Sequence, residues 1–400
     1  QLGKNIWMLT FDLPGEKVNK FSRAVMGDFE RLIPRLETLA QKGEIEALVV
    51  VSGKPGIFIA GADIEMIQAT RTEEEAASLS RQGQKLLDRW EDLPFVTVAA
   101  SDGATMGGGC EFSLASTAVI MSTNPSAKIG LPEVLLGVIP GMGGCVRLPR
   151  KVGLANGLDM ILSGRTLDGT RAAKMGLVDA CLPRENFQES ALKWTLQNLS
   201  ALKAGKRLGR EPQLGGMGGV AGALLEKTPM GRMLIFKKAR AGVMSKTRGK
   251  YPAPLEALAV LKATGAAHGP QHRGGARDKR MEREAQGFGR CAATDISKNL
   301  IRLFFLTESV KKANGLPPGT KVETPSVERA AVLGAGVMGG GIAQLFAEKG
   351  ITSRMKDLNN TALALGIAAA KKIFDSQLRS RRIDRRQYLQ KMNLIAPVTD

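Results

Sequence analysis

Aromatic side chains, histidine and cysteine are all scarce in this 400-residue sequence, with 4% aromatics, 2 histidines and 4 cysteines. The cysteines (Cys110, Cys145, Cys181 and Cys291) form no C-x-x-C pair, which argues against a zinc motif and a disulfide framework and favours a reducing compartment. No apolar run reaches the roughly 18 to 20 residues that a transmembrane helix needs. We therefore expect a soluble globular protein without a metal site.

The N-terminus lacks an initiator methionine and a charged segment followed by an apolar one. We therefore expect Gln1 to begin a processed or trimmed chain. At 400 residues the sequence exceeds the roughly 250 to 300 residues at which single hydrophobic cores stop growing. This length predicts two or three domains.

The positive net charge of +19 is unevenly distributed, because residues 201–300 hold 20 Lys and Arg against 7 Asp and Glu. Such a segment is typical of proteins that meet phosphorylated substrates, anionic lipid or nucleic acid, and an ordinary solvated helical surface is an equally weighted alternative. We expect no nucleic-acid partner, because aromatic residues for base stacking are scarce and no recognised module is present.

Residues 1–190 alternate short apolar runs with segments whose apolar residues recur at helical spacing, as in 21–43 and 73–93. This alternation predicts a layered α/β domain. Strands are predicted for five runs bounded by Gly, Pro or Asp: IWMLTFD (6–12), ALVVVSG (47–53), FVTVAAS (95–101), TAVIMST (117–123) and GLVDACL (176–182).

Strand signals fade after residue 190, and helical segments rich in glycine and basic residues follow. We interpret GGMGGVAG (215–222), which no strand precedes, as a flexible loop. The paired prolines of ANGLPPGTKVETPS predict an interdomain linker. The predicted organisation is an α/β domain over 1–190, a basic helical extension over 191–312, a linker over 313–326 and a further domain over 327–400.

Two glycine-containing segments, FIAGADIEM (58–66) and TMGGGCEFSLAS (105–116), are candidates for ligand binding. Successive glycines before a helical run let backbone N–H groups approach a ligand and place them at the positive end of a helix. Two loops that each supply one N–H form an oxyanion hole, which stabilises the enolate that develops on a thioester oxygen. By composition alone, an ordinary glycine-rich turn is the alternative.

Two acidic residues accompany these loops: Glu111 follows GGGC, and Glu133 lies in the apolar segment IGLPEVLLG. A carboxylate in an apolar segment is costly unless it has a partner or a task. Two carboxylates that face one pocket can divide acid and base roles when their surroundings separate their pKa values. Either glutamate alone is also compatible with a surface acid or a helix cap. We interpret the neighbouring Cys110 as a small buried hydrophobe.

The ordered motifs FIAGADI, MGGGCE, IGLPEVLLGVIPGMGG, RLPRKVG and GRTLDGTRAAKMGLVD resemble the crotonase superfamily of enoyl-CoA hydratases and isomerases, across residues 5–182. This resemblance implies an α/β fold, a crotonase-like spiral of repeated ββα units. With the helical SKTRGKYPAPLEAL and a glycine fingerprint at residue 334, the whole chain resembles the N-terminal portion of the multifunctional α-subunits of fatty-acid β-oxidation complexes. Asp102, Cys145 and Val146 depart from the residues usual in the family.

The resemblance implies a role for each residue that matches the motifs. The N–H groups of Ala62 and Gly108 would hold the thioester oxygen. Glu111 would orient and deprotonate water, and Glu133 would deliver a proton to Cα during hydration of a trans-2-enoyl-CoA. The same pair can move a proton between Cα and Cγ, as the isomerases of the family do. Further residues expected to bind the acyl-CoA substrate are Ala60, Gly61, Asp63, Gly107, Pro132 and Gly141.

The segment AAVLGAGVMGGGIAQLF (330–346) has the G-x-G-x-x-G spacing of a dinucleotide-binding turn, with a predicted strand before it and a helix after it. Asp357 follows Gly334 by 23 residues, where an acid binds a ribose hydroxyl and favours NAD over NADP. Thr352 and Ser353 make the second strand more polar than a buried parallel strand should be. The residues expected to bind NAD are Gly334, Gly336, Met338, Gly339 and Asp357.

This module resembles the first part of the Rossmann domain of 3-hydroxyacyl-CoA dehydrogenases, which use a histidine supported by a glutamate downstream of the nucleotide-binding half. The only histidines here, His268 and His272, precede the fingerprint and match no catalytic pattern, so we interpret them as loop residues. We expect the Rossmann part to be incomplete and dehydrogenase activity to require a longer chain.

The predicted function is hydration of trans-2-enoyl-CoA in fatty-acid β-oxidation, with isomerase activity left open. The alternative is a non-catalytic assembly module that binds a thiolase β-subunit and an anionic membrane surface, as the basic segment would allow. An autonomous NAD-dependent dehydrogenase is a third, less favoured hypothesis. The expected location is the bacterial cytoplasm, with the mitochondrial matrix as the alternative.

Overall fold

The structure is a computed structural model of the chain. It describes residues 5–212, 214–216, 219–264, 275–313, 315–317, 320, 325–336, 338–380 and 382–400. The predicted loop residues His268 and His272 lie outside the described residues. The chain forms two compact units, residues 1–312 and 313–400.

The larger of two sheets in the first unit consists of five parallel strands in the order β1-β2-β4-β6-β9. Each position of β2, β4 and β6 is buried except Ser52, as expected for central parallel strands covered on both faces. Alternate residues of β2 pack on opposite sides: Leu48 and Val50 join one core cluster, and Val49 joins another. The five strands are β1 (Ile6–Phe11), β2 (Ala47–Ser52), β4 (Val96–Ser101), β6 (Ala118–Ser122) and β9 (Ala180–Leu182).

A second sheet of four three-residue strands has the order β3-β5-β7-β8, with only the β7–β8 pair antiparallel. From β2 to β7, successive strands alternate between the large and the small sheet, which confirms the predicted spiral of ββα units. Three residues are too few to show a period-2 pattern, so none of these four strands was predicted from the sequence. They are β3 (Ile57–Ile59), β5 (Ala104–Met106), β7 (Lys128–Gly130) and β8 (Thr166–Asp168).

Helices cover both faces of the large sheet. Helix α1 begins after Ser22, whose side chain accepts a hydrogen bond from the Val25 N–H, and buries Val25, Phe29 and Ile33 at helical spacing. The helices that follow the first strands are α1 (Arg23–Gln41), α2 (Ile64–Ala69), α3 (Glu73–Glu91), α4 (Gly108–Ala115), α5 (Gly144–Val152), α6 (Leu154–Ser163) and α7 (Gly169–Met175).

The predicted helical extension is helical and belongs to the first compact unit. Val260, Phe288 and Ile301 share one hydrophobic cluster with Ile139 and Leu148, so these helices help to form the core. They are α8 (Phe187–Lys203), α9 (Gly219–Lys227), α10 (Pro229–Thr247), α11 (Pro252–Thr264), α12 (Gly275–Ala292) and α13 (Asp295–Lys312).

The interpretation of residues 215–222 as a flexible loop was wrong for the part that the structure describes. Leu214–Gly216 forms a 3₁₀ turn, and Gly219 begins α9. A methyl group on Gly222 would stand 1.9 Å from the Leu214 carbonyl oxygen, so glycine here permits contact between the turn and the helix. The buried Glu226 accepts a hydrogen bond from the Gly215 N–H and fixes the turn.

The second unit contains a parallel sheet in the order β10-β11-β12. Strand β11 alternates between exposed and buried positions, with Ser353 and Met355 buried and Thr352 exposed. This one-sided burial accounts for the exposed polar residue Thr352, whereas Ser353 lies on the buried face with Met355. The elements are β10 (Arg329–Leu333), α14 (Gly339–Glu348), β11 (Thr352–Lys356), α15 (Asn360–Arg379), α16 (Arg385–Met392) and β12 (Ile395–Val398). None of the helices described in either unit has the length and apolar character to cross a membrane.

Candidate active site

The glycine run 107–109, at the start of α4, is held against the end of β3 and the backbone that follows it. Gly107 has φ of +52° and ψ of −122°, a conformation that essentially only glycine adopts. A methyl group on Gly109 would stand 2.3 Å from the Ile59 carbonyl oxygen, and one on Gly108 would stand 3.1 Å from the Ala62 nitrogen. Glycine is required here because two backbone segments are in contact.

Ala62 and Gly108 line the same cavity. Phe21 pairs with Ala62 in an isolated parallel bridge. The Phe21 N–H donates to the Gly61 carbonyl oxygen, and the Phe21 carbonyl oxygen accepts from the Asp63 N–H. The Ala62 N–H therefore faces away from Phe21. Gly108 is the first residue of α4, where an N–H has no partner within the helix. Two N–H donors are thus presented beside the positive end of a helix.

The carboxyl group of Glu111 is buried in the first turn of α4. Its Oε1 accepts hydrogen bonds from the Met142 N–H at 2.7 Å and the Gly144 N–H at 2.8 Å. Burial raises the pKa of Glu111 to about 7, and these two N–H groups and the charge of Arg147 oppose that rise. Near neutral pH this group can therefore be ionised and accept a proton.

The carboxyl group of Glu133 lies at the start of the 3₁₀ helix Glu133–Leu136, directly after Pro132. Both carboxyl oxygens are buried, and neither has a hydrogen-bond partner among the described residues. Burial, followed by the charge of Glu111, raises the pKa of Glu133 well above its usual range. A methyl group on Gly107 would stand 3.2 Å from Glu133 Oε1, so this carboxyl group lies beside the glycine run.

A cavity of about 310 Å³ connects these groups, and its other walls are mainly apolar. Helices α12 and α13 contribute Phe288 and Phe304 to the walls, and sequence motifs did not identify either residue. The structure brings all ten residues that were predicted for the acyl-CoA site to this cavity: Ala60, Gly61, Ala62, Asp63, Gly107, Gly108, Glu111, Pro132, Glu133 and Gly141.

A third buried carboxyl group, that of Glu284 on α12, was not predicted from the sequence. It accepts hydrogen bonds from the Gly143 N–H at 2.6 Å, the Cys145 N–H at 2.8 Å and Gln84 Nε2 at 3.0 Å. Burial raises the pKa of Glu284 to about 8, the charge of Glu111 adds to the rise, and the three donors oppose it. The sequence feature that could have identified Glu284 as buried is its helical spacing from Met281 and Phe288 on one face of α12.

Arg147, in the predicted motif RLPRKVG, supports the loop that bonds to Glu111. Its guanidinium group is buried and donates to the Met142 carbonyl oxygen at 2.9 Å. The same group forms ion pairs with Asp88 and Glu91 on α3. A buried guanidinium group with carboxylate and carbonyl partners holds its surroundings in one geometry, because an unpaired charge there would be costly.

The glycine fingerprint of the second unit forms the turn between β10 and α14. Gly334 has φ of +96°, in the left-handed region that favours glycine. A methyl group on Gly339 would stand 1.9 Å from the Gly334 carbonyl oxygen, so the helix start touches the turn. A methyl group on Gly336 would meet no atom within 4 Å, which leaves an open face beside the helix N-terminus.

Asp357 follows β11, and its Oδ2 accepts a hydrogen bond from the Ala335 N–H at 2.6 Å. This bond and one from the Leu358 N–H lower the pKa of Asp357, so the carboxylate is charged at the turn. Met338 is exposed at the start of α14. The open glycine face, the helix N-terminus and the nearby carboxylate fit a dinucleotide.

No group of three or more His, Cys, Asp and Glu side chains that could hold a metal ion occurs among the residues described. Cys110 and Cys145 are buried, and burial raises the pKa of both thiols well above the ordinary value. A thiol in this state is a poor nucleophile. The groups of the cavity that can transfer a proton or donate a hydrogen bond include the two carboxyl groups and the backbone amides.

Sequence comparison matches two families. The enoyl-CoA hydratase/isomerase family matches residues 1–207, and the NAD binding domain of 3-hydroxyacyl-CoA dehydrogenase matches residues 329–400. Both matches confirm the resemblances predicted from the motifs.

Similar full-length proteins include two named fatty acid oxidation complex subunit alpha. That of Shewanella loihica is 37% identical over 382 residues, which cover 95% of this chain and 51% of that protein. That of Aliivibrio fischeri is 37% identical over 400 residues, which cover 99% of this chain and 54% of that protein. The chain spans about half the length of these relatives.

Among solved structures, human mitochondrial delta3-delta2-enoyl-CoA isomerase is similar, with a TM-score of 0.51 and 20% sequence identity. The match covers 76% of this chain and 95% of that one. At this identity the likeness concerns the fold, and it agrees with the spiral of ββα units described above.

Proposed function

This chain belongs to the enoyl-CoA hydratase/isomerase family, and from that membership we propose that it hydrates trans-2-enoyl-CoA to 3-hydroxyacyl-CoA in fatty-acid β-oxidation. The observation that carries the proposal is the contrast between the two carboxyl groups of the cavity. Glu111 holds two backbone hydrogen bonds and Glu133 holds none from the described residues, so one is suited to accept a proton and the other to donate one.

The thioester oxygen binds between the N–H groups of Ala62 and Gly108. Addition at C3 places negative charge on this oxygen, so the two fixed donors stabilise the transition state more than the bound substrate. Removal of one such donor in another enzyme costs about 2.7 to 4 kcal/mol. The mainly apolar walls keep water from weakening these bonds.

Hydration then proceeds by two proton transfers. Glu111 takes a proton from water as the water oxygen bonds to C3, and the π electrons of the double bond move toward the thioester. Protonated Glu133 delivers its proton to Cα, and its pKa well above the usual range keeps this proton in place at neutral pH. Afterwards Glu111 is protonated and Glu133 is ionised, and proton exchange with solvent restores the starting state.

Isomerisation of a 3-enoyl-CoA to the 2-enoyl isomer remains a second candidate for the same site. The two carboxyl groups flank one cavity, and a group that removes a proton from Cα can return it at Cγ. Supply of a 3-enoyl-CoA in place of a 2-enoyl-CoA separates the two activities, because isomerisation creates the conjugated thioester absorbance and hydration removes it.

The second unit supports a proposal for nucleotide binding. Gly334, Gly336, Met338 and Gly339 would hold the pyrophosphate side of NAD, and Asp357 would bind its ribose. When bound, NAD accepts a hydride from a 3-hydroxyacyl-CoA, the product of the hydration step. No histidine follows the fingerprint in this sequence to take the hydroxyl proton, so we assign nucleotide binding alone to residues 329–400.

Assembly is the alternative function, and a surface of α9 and α10 favours it. Val220, Met230 and Met233 are exposed there, beside basic residues such as Arg232 and Lys237. Apolar side chains within a basic surface suit an anionic membrane. The relatives are named as subunits of a complex, which supports a protein partner, and the resemblance to the α-subunits implies that this partner is a thiolase β-subunit. We propose the bacterial cytoplasm as the location, with the mitochondrial matrix as the alternative.

The proposed hydratase is tested by the loss of conjugated-thioester absorbance when the 400-residue protein is mixed with a trans-2-enoyl-CoA. Full turnover by the Glu111→Gln or Glu133→Gln variant would remove the basis of the assignment. Sedimentation with anionic liposomes at low salt tests the membrane part of the alternative, because screening weakens such binding as salt rises. Protein that stays in the supernatant at low salt would count against it.

A further inference from the structure

Four successive backbone N–H groups, from Met142 to Cys145, are divided between two carboxyl groups. The first and third donate to Glu111, and the second and fourth donate to Glu284. All four distances lie between 2.6 and 2.8 Å. The segment includes the N-terminus of α5, whose dipole favours negative charge. It is therefore held from two sides by groups that lie far apart in sequence.

Glu284 is fully buried and does not line the acyl-CoA cavity. Its remaining hydrogen bond comes from Gln84 on α3, which also donates to the Met281 carbonyl oxygen. The charged and titratable groups that act on or respond to Glu284 are Glu111, Glu133, Cys145 and Arg147. Burial of a carboxyl group costs free energy unless the group has partners or a task. Glu284 accepts three hydrogen bonds, which indicates that it has a role in this part of the structure.

We propose that Glu284 is a positioning residue, which fixes the Met142–Cys145 segment and through it the carboxylate of Glu111. The inference rests on the proposed hydratase function and adds to it a residue outside the matched family region. With Glu284 absent, the N–H groups of Gly143 and Cys145 lose their acceptor, and the segment can turn to satisfy them. The Met142 and Gly144 N–H groups then no longer hold Glu111 in place.

The test compares Glu284→Gln with Glu284→Asp in the 400-residue protein. The glutamine amide nitrogen brings a donor to a backbone donor, whereas aspartate keeps two acceptor oxygens on a shorter side chain. We expect Glu284→Gln to lower kcat by about 10- to 100-fold, the scale of a small misplacement of a catalytic group, with KM little changed. We expect Glu284→Asp to retain more of kcat.

The matched control is Glu282→Gln on the same helix. Glu282 is partly exposed and pairs with Arg81 on α3, so this variant removes a carboxylate and an α3–α12 contact without reaching the segment. We expect it to keep the wild-type kcat. Equal kcat values for the Glu282→Gln and Glu284→Gln variants would overturn the inference.

A double-mutant cycle with Glu111→Gln separates positioning from general structural support. If Glu284 acts through Glu111, Glu284→Gln adds little to the loss already caused by Glu111→Gln. If it only supports the fold, the two losses multiply, and the inference fails.

If the Glu284→Gln variant does not fold, Gln84→Met replaces it, because this change removes one hydrogen-bond donor to Glu284. It is combined with Glu111→Gln in the same way, and the two outcomes have the same meaning. A wild-type protein with no hydratase activity would instead overturn the proposed function itself.

Discussion

The carboxyl group of Glu111 accepts two backbone hydrogen bonds, whereas that of Glu133, which faces the same cavity, accepts none from the described residues. Burial raises the pKa of both groups, to about 7 for Glu111 and well above the usual range for Glu133. Donors that stabilise only one of two buried carboxylates separate their proton affinities, and the pair can then serve as base and acid in one reaction.

Replacement of either glutamate by glutamine is expected to lower kcat by roughly 10²- to 10⁴-fold, the usual contribution of a group that transfers a proton in the transition state. The loss of absorbance of a trans-2-enoyl-CoA measures it. Glu30→Gln, which changes an exposed carboxylate on α1, provides a control that should keep the wild-type rate. If the Glu111→Gln and Glu133→Gln variants both lose less than roughly 10²-fold in kcat, neither carboxyl group transfers the proton.

The pH profile of kcat/KM is expected to be bell-shaped. Glu111 must be ionised to take a proton from water, so the rate should rise with pH through about 7. Glu133 must be protonated to donate, so the rate should fall again at higher pH, once its raised pKa is passed. Initial rates measured between pH 5 and 10 test this shape. A rate that is constant between pH 5 and 7 would contradict the role of Glu111 as the base.

Gly107→Ala is expected to lower both stability and activity. Its backbone conformation costs a non-glycine residue about 1 to 3 kcal/mol, and the added methyl group would stand 3.2 Å from Glu133 Oε1. Chemical denaturation and kcat are the two measurements. Gly43→Ala is the matched control, because Gly43 also has positive φ, +70°, but meets no atom within 4 Å of an added methyl group. It should lose stability and keep kcat, and an equal effect of the two changes on kcat would contradict the placement of Glu133.

Gly336→Ala is expected to weaken NAD binding by at least about 10-fold without loss of folding. Its added methyl group meets no protein atom within 4 Å but occupies the face where a pyrophosphate would approach the backbone. Isothermal titration calorimetry of the 400-residue protein with NAD measures the effect. Gly341→Ala, within α14 and equally free of contacts, should bind as the wild type does. Equal affinities of the two variants would argue against pyrophosphate binding at the turn.

Much of the first unit follows from local sequence patterns. Residues such as Val49 and Val98 lie in apolar runs long enough to predict buried parallel strands, and the structure contains those strands. Residues Ile57–Ile59 and Ala104–Met106 lie in strands of three residues, which are formed by pairing with each other across the small sheet. Their pairing depends on contacts between distant segments, and no local pattern predicts it.

The sequence by itself determined the order of the glycine loops, the two glutamates and the nucleotide fingerprint, because backbone conformation and motif chemistry are local properties of the chain. Only the tertiary structure decided that Glu111 is held by Met142 and Gly144, while Glu133 accepts no hydrogen bond from the part of the chain that the structure describes. It also decided that Glu284, 173 residues after Glu111, holds the alternate amides of the same segment. The protonation state of a buried carboxyl group depends on which donors and charges surround it, and here those come from segments that are distant in sequence.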